Sequence, residues 1–397
     1  MEESYMDHAS ASPVKKEVIE SMLPFFDRYF ANPSTVYESG SRIKQTVEEQ
    51  RAKVAKLIGA KAENIIFTSS GAEANNLAIK GLALGGQKKG KHIIVSAIEH
   101  HSVLNSARFL ERLGYEVTFL PVDRHGMVDP ERLLRSIQED TILVSIMHAN
   151  NEIGTIQPIS ELASICREKG IVFHTDAVAS VGNIKVDVND LNVDMLSLSG
   201  PSLGAPKGTG ALYFREKIRL MPLIHGGIQE SGRRAGTENV PGIVGLGKAA
   251  ELALDELPMK TAHVRKVRDL LVTGIKERVP KVWFTGHPEF RLPGHASFCF
   301  EAIEGESLVF MLASAGIYVN TGSACASKAL KTSPVLVAIG LPADIAQGSV
   351  VFTMDRTNTV EEIDYILEKL PAAVDRLRML SPVWGREAPI YSGEACA

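Results

Sequence analysis

Cys325 lies in the run Thr321-Gly322-Ser323-Ala324-Cys325-Ala326-Ser327, small residues around a single thiol. A thiolate is a nucleophile, a sulfur carrier or a soft metal ligand, and a loop of this kind leaves it reachable for all three roles. A free cysteine is more often buried and inert, but flanking Gly and Ser are poor core material. Four other clusters carry polar groups. Thr68-Ser69-Ser70-Gly71-Ala72-Glu73 joins an apolar run to a helix start; its backbone N–H groups suit a phosphate, or a plain helix cap. Glu99-His100-His101 offers two imidazoles with no third metal ligand at useful spacing, so stacking or capping suits them better. Asn150-Asn151-Glu152-Ile153-Gly154 reads as a turn that can also present amides to a ligand. Asp176 can pair with a buried cationic ring nitrogen, or cap a helix.

These clusters need a frame that sets them side by side. Apolar runs at 65–68, 93–97, 117–120, 142–147, 172–175 and 195–199 alternate with helical patterns at 71–81, 101–113, 130–136 and 159–169. Such alternation predicts a mostly parallel sheet covered on both faces by helices. Ligands bind beyond the carboxyl ends of the strands in that architecture, and all four clusters fall at such ends. An N-terminal helix is predicted over 15–26 and an amphipathic one over 41–58. Near residue 258 the pattern changes. A charged helix over 259–279 leads into strands at 296–300 and 350–354, mixed with helices at 306–315, 333–339 and 360–378. This divides the chain into a large α/β domain (15–258), a smaller α+β domain (259–382, with the arm 1–14) and an irregular tail (383–397).

Composition narrows the function classes. Hydrophobic residues make up 45% and charged residues 23% of 397, as expected for a globular protein of two domains. A net charge of −4 offers no basic footprint, so no nucleic-acid partner is expected. The cysteines, Cys166, Cys299, Cys325 and Cys396, form no CxxC pair and no disulfide framework, which points to a reducing, cytoplasmic setting. No basic stretch followed by an apolar run opens the chain, and no apolar run approaches the ~18–20 residues that span a bilayer, so no membrane association is expected.

Taken together, YMDHASASPV, ANPSTV, FTSSGAEANNLAIKG, IEHHSVLN, ANNEIGTIQPI, HTDAVASVG, GPSLGAPKGTGALYF, GRRAGTENVPGIVGLGKA, VNTGSACASKAL and TVEEIDYILEKLP cover the chain from Asp7 to about Pro382. The chain thereby resembles the NifS/IscS-type cysteine desulfurases of the class V aminotransferase group. The resemblance implies a fold-type I pyridoxal-phosphate (PLP) architecture with a seven-stranded sheet, a homodimer, and sulfur delivery for iron–sulfur clusters or thio-cofactors. It further implies that His100 stacks on the pyridine ring, Asn151 contacts the ring hydroxyl and Asp176 pairs with the ring nitrogen. Gly71, Ala72 and Ser199 would hold the phosphate, with Thr237 supplied by the other subunit, and Cys325 would attack the substrate sulfur and carry a persulfide.

Departures from the family pattern converge on one pocket. The expected order after the strand is Ser, a small residue, His and the Schiff-base lysine; here Ser199 and Gly200 are followed by Pro201 and Ser202. Lys207 does not compensate, because the family commonly carries a lysine there as well. Ala179 stands for a glutamine, Ala72 for a phosphate-binding threonine, and Val351 for the arginine that clamps the substrate carboxylate. A serine hydroxyl neither joins the cofactor covalently nor shuttles protons. The expectation is therefore a catalytically impaired desulfurase-like protein with weak, non-covalent PLP. Cys325 would serve as persulfide carrier or as ligand of a [2Fe-2S] cluster shared with an IscU-type scaffold, with L-cysteine or sulfide as sulfur source. Cys396 is read as a bystander, with a second relay thiol as the alternative. Two alternatives stand beside this: an active PLP-dependent desulfurase using another base, and a purely structural partner without thiol chemistry.

Overall fold

The computed structural model describes residues 3–86, 90–322 and 332–385. A short strand β1 (Ser4–Tyr5) precedes helices α1 (Lys16–Met22) and α2 (Pro24–Asp27). The single helix predicted over 15–26 is thus two, because Pro24 lacks an N–H and starts a new helix at its first turn. Helix α3 (Glu38–Leu57) buries Ile43, Val47, Val54 and Leu57 along one stripe. It starts before the predicted residue 41, since Glu38, Ser39 and Gly40 carry no apolar signal.

The main sheet comprises β2 (Ile65–Thr68), β3 (His92–Ser96), β4 (Glu116–Leu120), β5 (Thr141–Ser145), β6 (Val172–Asp176), β7 (Met195–Ser199) and β8 (Gly210–Phe214). Their order is β2-β8-β7-β6-β5-β3-β4, and all pair in parallel except β8, which is antiparallel to both neighbours. Strands β3, β5 and β6 are buried at every position, as a parallel sheet sandwiched between helices requires. Helices α4 (Gly71–Leu84), α5 (His101–Glu111), α6 (Pro130–Ser136) and α7 (Ile159–Glu168) provide the crossovers. After β3 the chain steps outward to β4; after β5 it steps the other way, to β6 and β7. The crevice therefore opens between β3 and β5, where Glu99-His100 and Asn150-Asn151 emerge.

Helix α8 (Val240–Arg278) runs for 39 residues straight through the boundary expected at 258, with Pro258 inside it. Proline removes one backbone donor without stopping this helix, because both halves are held by packing. Val240, Ile243, Leu246 and Ala250 join the core under the main sheet, whereas Val267, Leu271 and Ile275 join a second core. That second core lies on an antiparallel sheet ordered β12-β10-β9, made of β9 (Val282–Phe284), β10 (His295–Phe300) and β12 (Ser349–Thr353). Strand β11 (Ile317–Tyr318) pairs with β1 in parallel, and Met6 of the N-terminal arm is buried in the second core. Helices α9 (Gly305–Ser314), α10 (Pro334–Ala338), α11 (Ala343–Ala346) and α12 (Val360–Leu380) complete this part. Thr359 and Glu362 form a capping box at the head of α12. Among the described residues, no helix is long and apolar enough to cross a membrane.

Candidate functional site

Asp176 ends β6 and is 4% exposed. Its Oδ2 accepts a hydrogen bond from Asn75 Nδ2 at 2.6 Å and its Oδ1 one from Val178 N at 3.0 Å. Burial pushes its pKa up, against the Val178 N–H, the neighbouring His100 and Asn75, which favour the ionised form. Asn75, on α4, donates its second N–H to Ser102 Oγ at 2.8 Å. Ser102 Oγ lies 2.7 Å from His100 Nδ1, and Ser102 N donates to the same nitrogen at 3.2 Å. A backbone N–H only donates, so Nδ1 is an acceptor and the neutral His100 ring carries its hydrogen on Nε2. One directed chain thus runs from Asp176 through Asn75 and Ser102 to His100. The capping reading of His100 is realised at the head of α5.

The Thr68–Glu73 cluster is a helix cap in its first instance. Ser70 Oγ accepts from Glu73 N at 3.1 Å. Glu73 returns the contact, its Oε2 accepting from Ser69 N at 2.7 Å, and Arg234 Nε donates to its Oε1 at 3.0 Å. Burial works against the Glu73 charge, but Arg234 and Ser69 hold its carboxyl below the usual range. Gly71 lies against the ends of neighbouring strands: a Cβ there would sit 2.6 Å from Val178 Cγ2 and 3.3 Å from Ser199 Cβ. The start of α4 with Gly71 and Ala72 therefore meets Ser199 and the residues after Asp176, with its positive dipole end toward the crevice.

Ser202 lies in a 3-10 turn (Pro201–Leu203) directly after β7, and its Oγ donates to Ser199 O at 2.7 Å. It lines a cavity of about 100 Å³ together with Asn151, Ala179, Lys260, His295 and Thr353. His295 Nε2 donates to Asn151 O at 3.0 Å, and burial pushes this imidazole down to about 3. Val351 is buried in β12, and a Cβ placed on Gly322 would lie 3.1 Å from its Cγ2. Its side chain offers no cation for a substrate carboxylate. Thr237 is exposed ahead of α8 and does not line the Ser202 cavity. Cys325 and Cys396 lie outside the described residues. Cys166 and Cys299 are buried, and desolvation pushes both thiols up to about 12, so neither supplies a thiolate.

The residues fit PLP in part. A buried Asp176 with only neutral N–H donors against its oxygens is matched to a cationic ring nitrogen, which would supply the missing charge. The α4 start suits the phosphate. Residue 202 offers no amine, and its hydroxyl is already engaged, so the covalent link has no counterpart there. Asp176→Asn should weaken PLP binding about 10- to 100-fold, the scale of one hydrogen bond to a charged group, in a fluorescence titration of purified protein. An unchanged affinity would remove Asp176 from the ring site. Asn75 and Ser102 were not among the residues the sequence singled out. The signal was present but weak: each is a polar residue in the first turns of a helix that starts at a strand end.

Comparison with known proteins places these residues in context. The profile described as "Aminotransferase class-V" matches residues 4–366. Cysteine desulfurase IscS of Methanosarcina thermophila is 51% identical over 383 residues, covering 96% of this chain and 95% of that protein. Cysteine desulfurase IscS of Dictyoglomus turgidum is 49% identical over 380 residues, 96% of each chain. A solved NifS-like protein superposes with a TM-score of 0.89 at 37% identity, over 94% of this chain and 100% of that one. SspA in complex with cysteine superposes with a TM-score of 0.79 at 36% identity, over 89% and 99%.

Proposed function

Because the chain belongs to the class-V aminotransferase family and is homologous to the IscS cysteine desulfurases, we propose that it acts in sulfur transfer with impaired cysteine desulfurase chemistry. One observation carries the reading. The pyridine-side chain Asp176–Asn75–Ser102–His100 is complete, while the residue that should join the cofactor is a serine whose hydroxyl is spent on Ser199 O. Bound PLP supplies an electron sink for an amino-acid substrate. Asp176 would hold its ring nitrogen, His100 its ring face, Asn151 its hydroxyl, and Gly71, Ala72 and Ser199 its phosphate, with Thr237 of a second subunit in a homodimer. Binding is weak and non-covalent at residue 202, and L-cysteine is turned over slowly. Cys325 then serves as the persulfide carrier, with L-cysteine as the source of its sulfur, or as a ligand of an iron–sulfur cluster shared with a scaffold protein, for which L-cysteine or sulfide supplies the cluster sulfide.

The test is a persulfide assay by alkylation and mass spectrometry, with L-cysteine plus PLP in one arm and a polysulfide, whose sulfane sulfur a thiolate can take while the shortened polysulfide leaves, in the other. Cys325→Ala should lower persulfide formation by at least about a thousandfold, the order seen when a nucleophile is deleted. Equal labelling of the variant would leave only a structural role. Fast, sustained alanine release from L-cysteine by the unmodified protein would mean that another base replaces the lysine.

A further inference from the structure

Beside His100 lies a small cavity of about 30 Å³ whose lining includes Glu99, His100, Asn151, Glu152 and Gly322. That is room for one water, and a buried water needs two to four polar partners. The lining provides them: His100 directs Nε2–H away from its Ser102 contacts, Glu99 Oε2 is buried with no hydrogen-bond partner, and Glu152 presents a carboxyl. We propose that Glu152 is the proton-exchanging residue of this site, acting through one water held in the cavity against His100.

Glu152 joins two distant parts of the chain. Its Oε2 accepts from Ser333 Oγ, which also caps α10 by accepting from Val335 N and Leu336 N. Some of its surface stays open, but burial on the other sides pushes its carboxyl up to about 7, opposed by the Ser333 hydroxyl. A group at that value exchanges protons readily near neutral pH. The other titratable groups facing the cavity behave differently. Glu99 is pushed up to about 8 by burial, against its donors Ser96 and Met147 N and with the Asp176 charge adding to the rise, so it keeps its proton. His101 is pushed down by burial, with His100 and Arg108 contributing. Ser202, in the place of a proton-shuttling lysine, holds no exchangeable charge.

The proposal rests on the sulfur-transfer reading, since it takes the thiol of L-cysteine as the proton source. That ligand, entering beside His100, gives its proton to the water while the water gives one of its own to the Glu152 carboxylate. Thiolate, water and a neutral carboxyl result, so atoms and charge balance without another reactant.

Glu152→Gln keeps the shape and a partner for Ser333 while abolishing the exchange. Persulfide formation from L-cysteine with added PLP should fall about 10- to 100-fold, and its rise through pH 7 should disappear. Ser333→Ala should move that rise to higher pH, because it removes the donor that favours the ionised form. Difference infrared spectra between about pH 5.5 and 8.5 should show a loss of protonated carboxyl that is one group smaller in Glu152→Gln than in the unmodified protein, the remainder belonging to Glu99. A variant that keeps both the rate and the pH midpoint, or an infrared change unaltered by the substitution, overturns the proposal. If the unmodified protein forms no persulfide, the sulfur-transfer reading falls, and the infrared comparison still decides whether Glu152 exchanges its proton near pH 7.

Discussion

Replacing Ser202 by lysine should make the bound cofactor covalent. PLP should stay on the protein through borohydride reduction and denaturation, and L-cysteine turnover should rise by roughly 10²–10⁴, the range that general acid–base catalysis supplies. Ser202 already stands at the end of β7 on the wall of the cavity of about 100 Å³ that it shares with Asn151 and Ala179, so a lysine stem has space to enter. The substitution removes only the Ser202–Ser199 hydrogen bond, about 1 kcal/mol. Its gain in rate is bounded by Val351, which still offers the substrate carboxylate no cation. Should the folded Ser202→Lys protein carry no reducible linkage, the cofactor ring does not sit against Asp176 and His100 as proposed.

Glu230→Ala should cost about 2–3 kcal/mol in urea unfolding, because it leaves a buried guanidinium with only the half-exposed Glu48 carboxylate as counter-charge. Arg51 grips Glu230 with two parallel bonds, Nη1 to Oε2 at 2.7 Å and Nη2 to Oε1 at 2.9 Å. The side chains are only 10% and 4% exposed. Arg51 Nη1 also donates to Ile65 O at 3.0 Å, Phe67 N donates to Glu230 Oε2 at 2.9 Å, and the guanidinium lies 4.6 Å from the centre of the Phe67 ring. Burial opposes the Arg51 charge, yet Glu230 and then Glu48 raise its pKa regardless. The pair also holds Glu230 in the left-handed region, at φ 47°, where a residue with a side chain is strained by about 1–2 kcal/mol. From there the chain continues to Arg234, the partner of Glu73, so the loss should reach the head of α4. A double replacement, Arg51→Met with Glu230→Leu, should cost less than Glu230→Ala alone, since no charge is then stranded. A loss below about 1 kcal/mol for Glu230→Ala would show the pair to be solvated.

Much of the frame was legible because it follows local rules. Runs such as His92–Ser96 and Thr141–Ser145 have apolar centres, Ile93-Ile94-Val95 and Ile142-Leu143-Val144, that can be buried on both faces, and alternation with helical patterns leaves a parallel sheet as the economical solution. The clusters at strand ends were legible for the same reason: topology sends every such end to one edge. Local rules failed where packing overrides them. Pro258 reads as a break, but two separate cores hold the halves of α8 in line. The helix predicted over 15–26 runs through Pro24, which instead begins a second helix.

The sequence by itself determined the family resemblance, the sheet and the serine at residue 202, since each is a matter of which residue stands at which place. Only the tertiary structure decided what the remaining groups do. Asn75 and Ser102 are unremarkable helix residues until α4 and α5 meet over Asp176, where two amide hydrogens and one hydroxyl align to fix His100. Ser202 has a hydroxyl in either case, but the turn of Pro201–Leu203 commits it to Ser199 O. Glu152 and Ser333 stand 181 positions apart and become partners only on folding. Hydrogen-bond direction and burial depend on distances between segments remote in the chain, and those distances exist only once the cores have packed.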